Sequence, residues 1–408
     1  MQKIEVHSTA HSAEDRVRAR RFGKSQYLRL NKRTITAAAL AAGLLVQSQG
    51  FTQVPNTTSA STVANAEAKS DPEKAARETW RAVIRNTPVP GKGCFHVKYP
   101  NVAWESVECA KPGAHPGRAT VGNHYDYVAG AQGLISEAAG FFEGASGVTS
   151  ETNVTTSLTP PGITSILGSN EYSLQMNTNP YGRTDACGVF IGCTVWQQFI
   201  YATDYECDPY GSQCGSAGLF MQYWLLNGTG NCPSDYMGNN HKLGGPPWPD
   251  NNGCFKNSAQ VTLPDIPVTE LGCCVRLITV ATAGGSDMVE LEYGDEFWGV
   301  AATDDVLHIA SVWTQAEFNV VGDNEYSQAQ FNDFSSIPVT LVLWDGSNTA
   351  PTCIPPQDDE GTTGETNNLY LGTCQAGVGE PYGSPLGTTP YISFPQTLVY
   401  YVVPPIRF

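Results

Sequence analysis

Two short alternating runs place glutamines among aromatic residues: "VWQQFIY", Val195 to Tyr201, and "LFMQYWLLN", Leu219 to Asn227. A side-chain amide can donate to a developing oxyanion or hold a polar ligand, whereas a strand that only packs has little use for one. A third run, "WTQAEFNVVGD", carries Glu317 between Gln315 and Asn319. A carboxyl held in a hydrogen-bonded cleft can act as a general acid or base. The competing reading of Glu317 is a solvated outer sheet face.

Strand parity sorts these residues, because side chains two apart share a face. In the first run Val195, Gln197, Phe199 and Tyr201 point one way, and Trp196, Gln198 and Ile200 the other. In the second, Leu219, Met221, Tyr223 and Leu225 form an apolar face, leaving Phe220, Gln222 and Trp224 opposite. Paired as neighbours, the two runs place Trp196, Gln198, Phe220, Gln222 and Trp224 on one surface. In the third run Ala316, Phe318 and Val320 read as core, while Gln315, Glu317, Asn319 and Val321 share the polar face. The candidate catalytic residues are Gln198 and Glu317, and the substrate-binding candidates are Trp196, Phe220, Gln222, Trp224, Gln315 and Asn319. Gln197 falls on the core side and needs a buried partner.

The Gln- and Trp-bearing strand, the aromatic strand "FMQYWL" and the later "AEF" resemble the secreted glutamic peptidases (eqolisins) and, more loosely, the neprosin-type glutamic peptidases. The likeness spans roughly residues 185–335, under half of the chain. It implies a β-sandwich with a Gln and a Glu on one concave sheet, or two Glu in the neprosin type, and an acid-acting endopeptidase. The Glu would act as general base on a water while the Gln amide donates to the oxyanion. In the eqolisins the catalytic Glu lies four residues after the Glu of "AEF"; here that position is Val321, and Glu317 is the carboxylate that remains. The chain is also similar to a wider set of exported bacterial proteins with stretches like "WQQF", "MQYW" and "GETNNL".

Two other functions fit the same residues. In a carbohydrate-binding or glycan-acting sandwich, Trp196, Phe220 and Trp224 would stack on sugar rings while Gln198 and Gln222 bond hydroxyls. A surface or structural protein that kept the fold and lost the chemistry would account for Val321.

The elements that must position these residues are strands. Only 15% of the 408 residues are charged, and Gly (41) and Pro (27) are abundant, a composition that favours an all-β chain. From about residue 150 onward, short alternating runs separated by Gly, Pro, Asn and Asp recur, among them "VRLITVATAG", "DMVELEYGDEFWGVAA", "VLHIASVWTQAEFNVVG", "IPVTLVLWDG" and "TLVYYVV". They predict an antiparallel two-sheet sandwich of the concanavalin or jelly-roll kind over 150–408. Residues 67–149 read as a propeptide-like or accessory module, opening with a helix in "SDPEKAARETWRAVIRNTP" that starts at Pro72 and stops before Pro88.

The first 66 residues read as an export leader. A basic lead precedes the apolar run "ITAAALAAGLLV" and small residues end at Ala66. That run is too short to span a bilayer, so the mature protein is expected to be secreted, periplasmic or at the cell surface, with no membrane segment. Twelve cysteines agree with export and predict disulfides, with Cys94–Cys109, Cys187–Cys193, Cys207–Cys214, Cys232–Cys254 and Cys353–Cys374 as the near-neighbour pairings. No paired C-x-x-C and no finger-register His supports zinc, and His96, His115, His124, His241 and His308 show no metal spacing.

No cofactor is expected: Gly-rich phosphate loops are missing, so nucleotide chemistry has no support, and the absence of a G-x-S-x-G elbow speaks against a serine triad. Residues 1–66 hold nine Lys and Arg against Glu5, Glu14 and Asp15, so the formal net charge of −16 leaves −22 on the remainder. That field repels nucleic acid and anionic membranes. The expected partner is a polypeptide or polysaccharide substrate, and the expected state is a monomer.

Overall fold

The alternating runs pair as antiparallel neighbours in two large sheets. A computed structural model describes residues 72–110, 126–155, 168–203, 216–238, 253–323, 327–356, 365–380 and 389–398, so the leader over 1–66 lies outside the described residues. The first sheet runs Glu105–Val107, Gly93–Lys98, Glu296–Thr303, Ser286–Tyr293, Val275–Ala281, Glu137–Phe141, Val339–Trp344, Thr389–Phe394 and Gln375–Gly379. The second runs Met237–Gly238, Gly253–Asn257, Ala217–Leu226, Thr194–Ala202, Tyr172–Thr178, Gln315–Gly322, Val128–Gly130 and Thr352–Ile354. Val261–Leu263 bonds to the far end of Ala217–Leu226. The architecture is the sandwich that the sequence predicts.

Period-two burial explains the stacking. Leu174, Met176, Val195, Phe199, Tyr201, Leu219, Met221, Leu225, Phe318 and Val320 of the second sheet enter one core cluster with Leu277, Val289, Leu291, Val300, Leu341 and Ile392 of the first. Gly140 is fixed by this packing: a Cβ there would lie 2.2 Å from the Phe318 ring, so only glycine lets the ring lie against the strand.

The predicted helix is Pro72–Arg85, and it covers the outer face of the first sheet. Trp80 and Ile84 pack on Val97, Ala139, Ile278 and Phe297. The Arg85 guanidinium grips Glu292 with donors at 2.9 and 2.8 Å, both groups nearly buried. Arg77 pairs with Asp295.

The described residues of 67–149 build into both sheets. Gly93–Lys98 and Glu105–Val107 extend the first sheet, Val128–Gly130 joins the second, and Glu137–Phe141 lies between Val275–Ala281 and Val339–Trp344. The described part of this region belongs to the same compact unit, which starts at Ala68. The physical reason is the run of small residues in "EAAGF", which lets a central strand pack on both faces.

A second difference concerns "VLHIASVW", which forms two 3-10 turns, Asp304–Val306 and Ile309–Ser311, rather than a strand. The Asp304 carboxylate accepts the N–H groups of Gly284 and Ala310, both at 3.2 Å, and so offers the backbone an alternative to ladder pairing. His308 consequently sits in a turn with φ of 54°.

Disulfides join Cys94–Cys109, Cys187–Cys193, Cys232–Cys254 and Cys353–Cys374, as the spacing suggests. Cys207 and Cys214 lie outside the described residues. Cys273 and Cys274, which the spacing left without partners, are bonded to each other.

Candidate functional site

The outward face of the second sheet carries a row of amides in register. Thr194–Ala202 and Ala217–Leu226 pair with Trp196 opposite Trp224, Gln198 opposite Gln222 and Ile200 opposite Phe220. Asn257 lies opposite Gln222 on one side, and Asn177 opposite Gln198 on the other. Glu317 lies opposite Asn177. The row Asn257–Gln222–Gln198–Asn177–Glu317 thus crosses five strands, about 19 Å at the usual strand spacing of about 4.8 Å.

These side chains form a hydrogen-bonded chain. Gln222 Nε2 donates to Asn257 Oδ1 at 2.9 Å. Gln198 Nε2 donates to Gln175 Oε1 at 3.0 Å and to Asn177 Oδ1 at 3.2 Å. Asn177 Nδ2 then donates to Glu317 Oε2 at 3.1 Å. The Trp224 indole N–H sits between the two glutamines and donates to Gln198 Oε1 at 3.0 Å and Gln222 Oε1 at 2.8 Å. One donor therefore fixes which end of each amide carries oxygen, and turns both NH2 groups along the row.

Gln198 and Glu317 share a face, as parity predicts, but they do not meet directly. Two strand spacings, about 10 Å, separate their backbones, and Asn177 bridges them. The row is deeply set, with Glu317 at 2% exposure, Asn177 at 1% and Gln198 at 5%.

The remaining candidates divide. Gln222 belongs to the row. Trp196 and Trp224 are buried and stacked on each other with centroids 6.0 Å apart, and Phe255 closes on Trp224 at 4.8 Å. Phe220 packs with Ile200 and Ala202. These rings offer no free face on which a sugar could stack. Asn319 points to the same side but is engaged by Asp126 and by Gln396, whose Nε2 donates to Asn319 Oδ1 at 2.8 Å. The Gln315 N–H donates to Asn179 Oδ1 at 3.2 Å, at the end of the strand. Val321 is buried on the same face, opposite Ser173.

Asn177, Gln175 and Asn257 are the members that the sequence reading missed. The signal for two of them was present in "YSLQMNT", where Ser173, Gln175 and Asn177 alternate with Tyr172, Leu174 and Met176. Gln197 fills the core side and has its Nε2 3.6 Å from Met221 Sδ.

Carboxyls elsewhere in the sandwich are perturbed chiefly by burial. It pushes Asp287 up to about 8, with Asp304 adding in the same direction and the Gln197 amide opposing. Glu290 is pushed up to about 8 and Glu137 to about 7, again by burial first. Among the described residues, no group of three His, Cys, Asp or Glu is placed to hold a metal ion, and no helix is long and apolar enough to cross a membrane. Compared with protein-family models, curated proteins and solved structures, the chain finds no match.

Proposed function

We propose that the protein is an exported hydrolase of the glutamic-peptidase kind, acting on an extended polypeptide laid across the strands of the second sheet. One observation carries this reading: the amide row ends on a carboxylate, through the Asn177 Nδ2 to Glu317 Oε2 bond at 3.1 Å. Glu317 is the base that takes a proton from water, and the amides of Asn177 and Gln198 are the donors that meet the oxyanion. The row is buried, so a peptide backbone reaches its amides only once the groups that cover it move aside. A backbone has the alternating donors and acceptors that such amides match. The buried, mutually stacked tryptophans speak against a glycan ligand. The described disulfides fit an oxidising compartment, which supports export.

Catalysis requires Gln198 to release one acceptor, because both of its amide hydrogens are given to Gln175 and Asn177. A substrate carbonyl would take the place of the Gln175 oxygen.

A second reading, a sandwich without catalysis, is favoured by the same internal bonding together with Val321. Cleavage of a mixed peptide library from pH 3 to 7 separates the two. Wild-type cleavage that falls at least about a hundredfold in Glu317→Gln supports the hydrolase. Undiminished cleavage by that variant removes Glu317 from the mechanism, and an inert wild type sinks the peptidase reading.

A further inference from the structure

Four of the described disulfides join residues 6 to 22 positions apart and tie strands or loops together. Cys273–Cys274 does not, because its sequence separation is 1. The stabilisation from a cross-link grows with the loop it closes, so a bond between neighbours removes almost no freedom from the unfolded chain. Stapling does not account for it.

Its setting leaves one of the two residues at the surface, with Cys273 Sγ 3.3 Å from the Glu270 carbonyl oxygen. The bond lies in the helical turn Leu271–Cys274, just before Val275–Ala281. Leu271 and Val275 on either side are buried in the main core. Gly272 backs onto Ala145, where a Cβ would stand 2.6 Å from the alanine methyl. With the flanks and the inner side fixed, Cys273 is left on the surface, the one exposed member of the described cysteines. Cys94, Cys193 and Cys254 are buried, and Cys353 and Cys374 are half-buried. Hydrogen bonds also tie the surroundings together: the Cys274 carbonyl accepts from the Gly294 N–H at 3.3 Å, and the Tyr293 hydroxyl donates to Glu270 Oε2 at 2.5 Å.

We propose that Cys273–Cys274 is a thiol-exchange site, a surface acceptor of two electrons from small thiols of the cysteine or glutathione class. A thiolate attacks Cys273 Sγ, the Cys273–Cys274 bond breaks, and Cys274 leaves as a thiolate that takes a proton from solvent. A second thiolate attacks the small thiol's own sulfur in the mixed disulfide. Cys273 is released as a thiol, together with the oxidised small disulfide. Two thiols are oxidised to one disulfide, and the cysteine pair is reduced to two adjacent thiols. The site is independent of the amide row, on the other sheet.

The test uses the full chain with its disulfides intact, held at neutral pH in increasing reduced glutathione, quenched in acid, alkylated with N-ethylmaleimide and mapped by peptide mass. The expected result is a glutathione adduct on Cys273, then two maleimides on the Cys273–Cys274 peptide. Both should appear at thiol concentrations about tenfold below those that open Cys353–Cys374. Opening no earlier than Cys353–Cys374 would overturn the proposal, as would a different pairing of these cysteines in untreated protein. The double variant Cys273→Ser, Cys274→Ser should keep the wild-type melting temperature and lose the early step. A large drop in melting temperature would make the bond a staple, against the proposal.

Discussion

Asp287 offers the sharpest test of how this sandwich is held together. It is the second residue of the Ser286–Tyr293 strand, at 0% exposure, and the Gln197 amide beside it favours its charged form. Burial and Asp304, a second buried carboxyl, outweigh that amide and favour the protonated acid. A protonated Asp287 has a hydrogen to give. Its pKa is pushed up to about 8, whereas an unfolded aspartate titrates near 3.9. The folded form therefore binds the extra proton between those values, and stability must fall as pH rises across that window. The contribution is complete below about pH 4 and gone once pH passes about 8.

At pH 7, three units above the unfolded value, the cost is at most about 4 kcal/mol at 1.36 kcal/mol per unit. Local relaxation and water entry reduce this to about 2–4 kcal/mol. Asp287→Asn keeps the shape and removes the titration. Urea unfolding followed by tryptophan fluorescence at pH 4, 6 and 8 should show near-equal stability at pH 4 and a variant more stable by about 2–4 kcal/mol at pH 8. Two pH profiles that run parallel would refute the reasoning.

Two further substitutions test the site and the core. Trp224→Phe keeps the ring but deletes the indole donor shared by Gln198 and Gln222, and should lower urea stability by about 1–3 kcal/mol as buried oxygens lose their partner. Gly140→Ala drives a methyl into the Phe318 ring and should cost about 1–3 kcal/mol or more, with partial recovery on adding Phe318→Leu, read as melting temperatures.

The sandwich was legible because the period-two alternation of "VWQQFIY", "LFMQYWLLN" and "AEFNVVG" is unbroken, and a sheet with one face in the core allows a single parity. That same parity placed Gln198, Gln222 and Glu317 together on the outward face. Asn177 escaped because which strand separates two runs depends on long-range pairing, which no local pattern encodes. The central position of Glu137–Phe141 escaped for a related reason: "EAAGFF" is too short and too small-sided to announce a strand buried on both faces. "VLHIASVW" misled because its alternation is genuine, yet Asp304 caps the backbone and turns it.

The placement of Glu137–Phe141 has a consequence for how the chain comes into being. Its two neighbours, Val275–Ala281 and Val339–Trp344, are made long after it. At about 5–20 residues per second, the roughly two hundred residues from Phe141 to Thr340 take about 10–40 seconds to emerge. Through that interval an apolar strand with both edges open has nothing of its own to pair with. The first sheet closes only when the C-terminal half arrives, so this chain is poorly suited to folding as it is synthesised. A holding factor that binds unpaired strands would be needed most at residues 137–142.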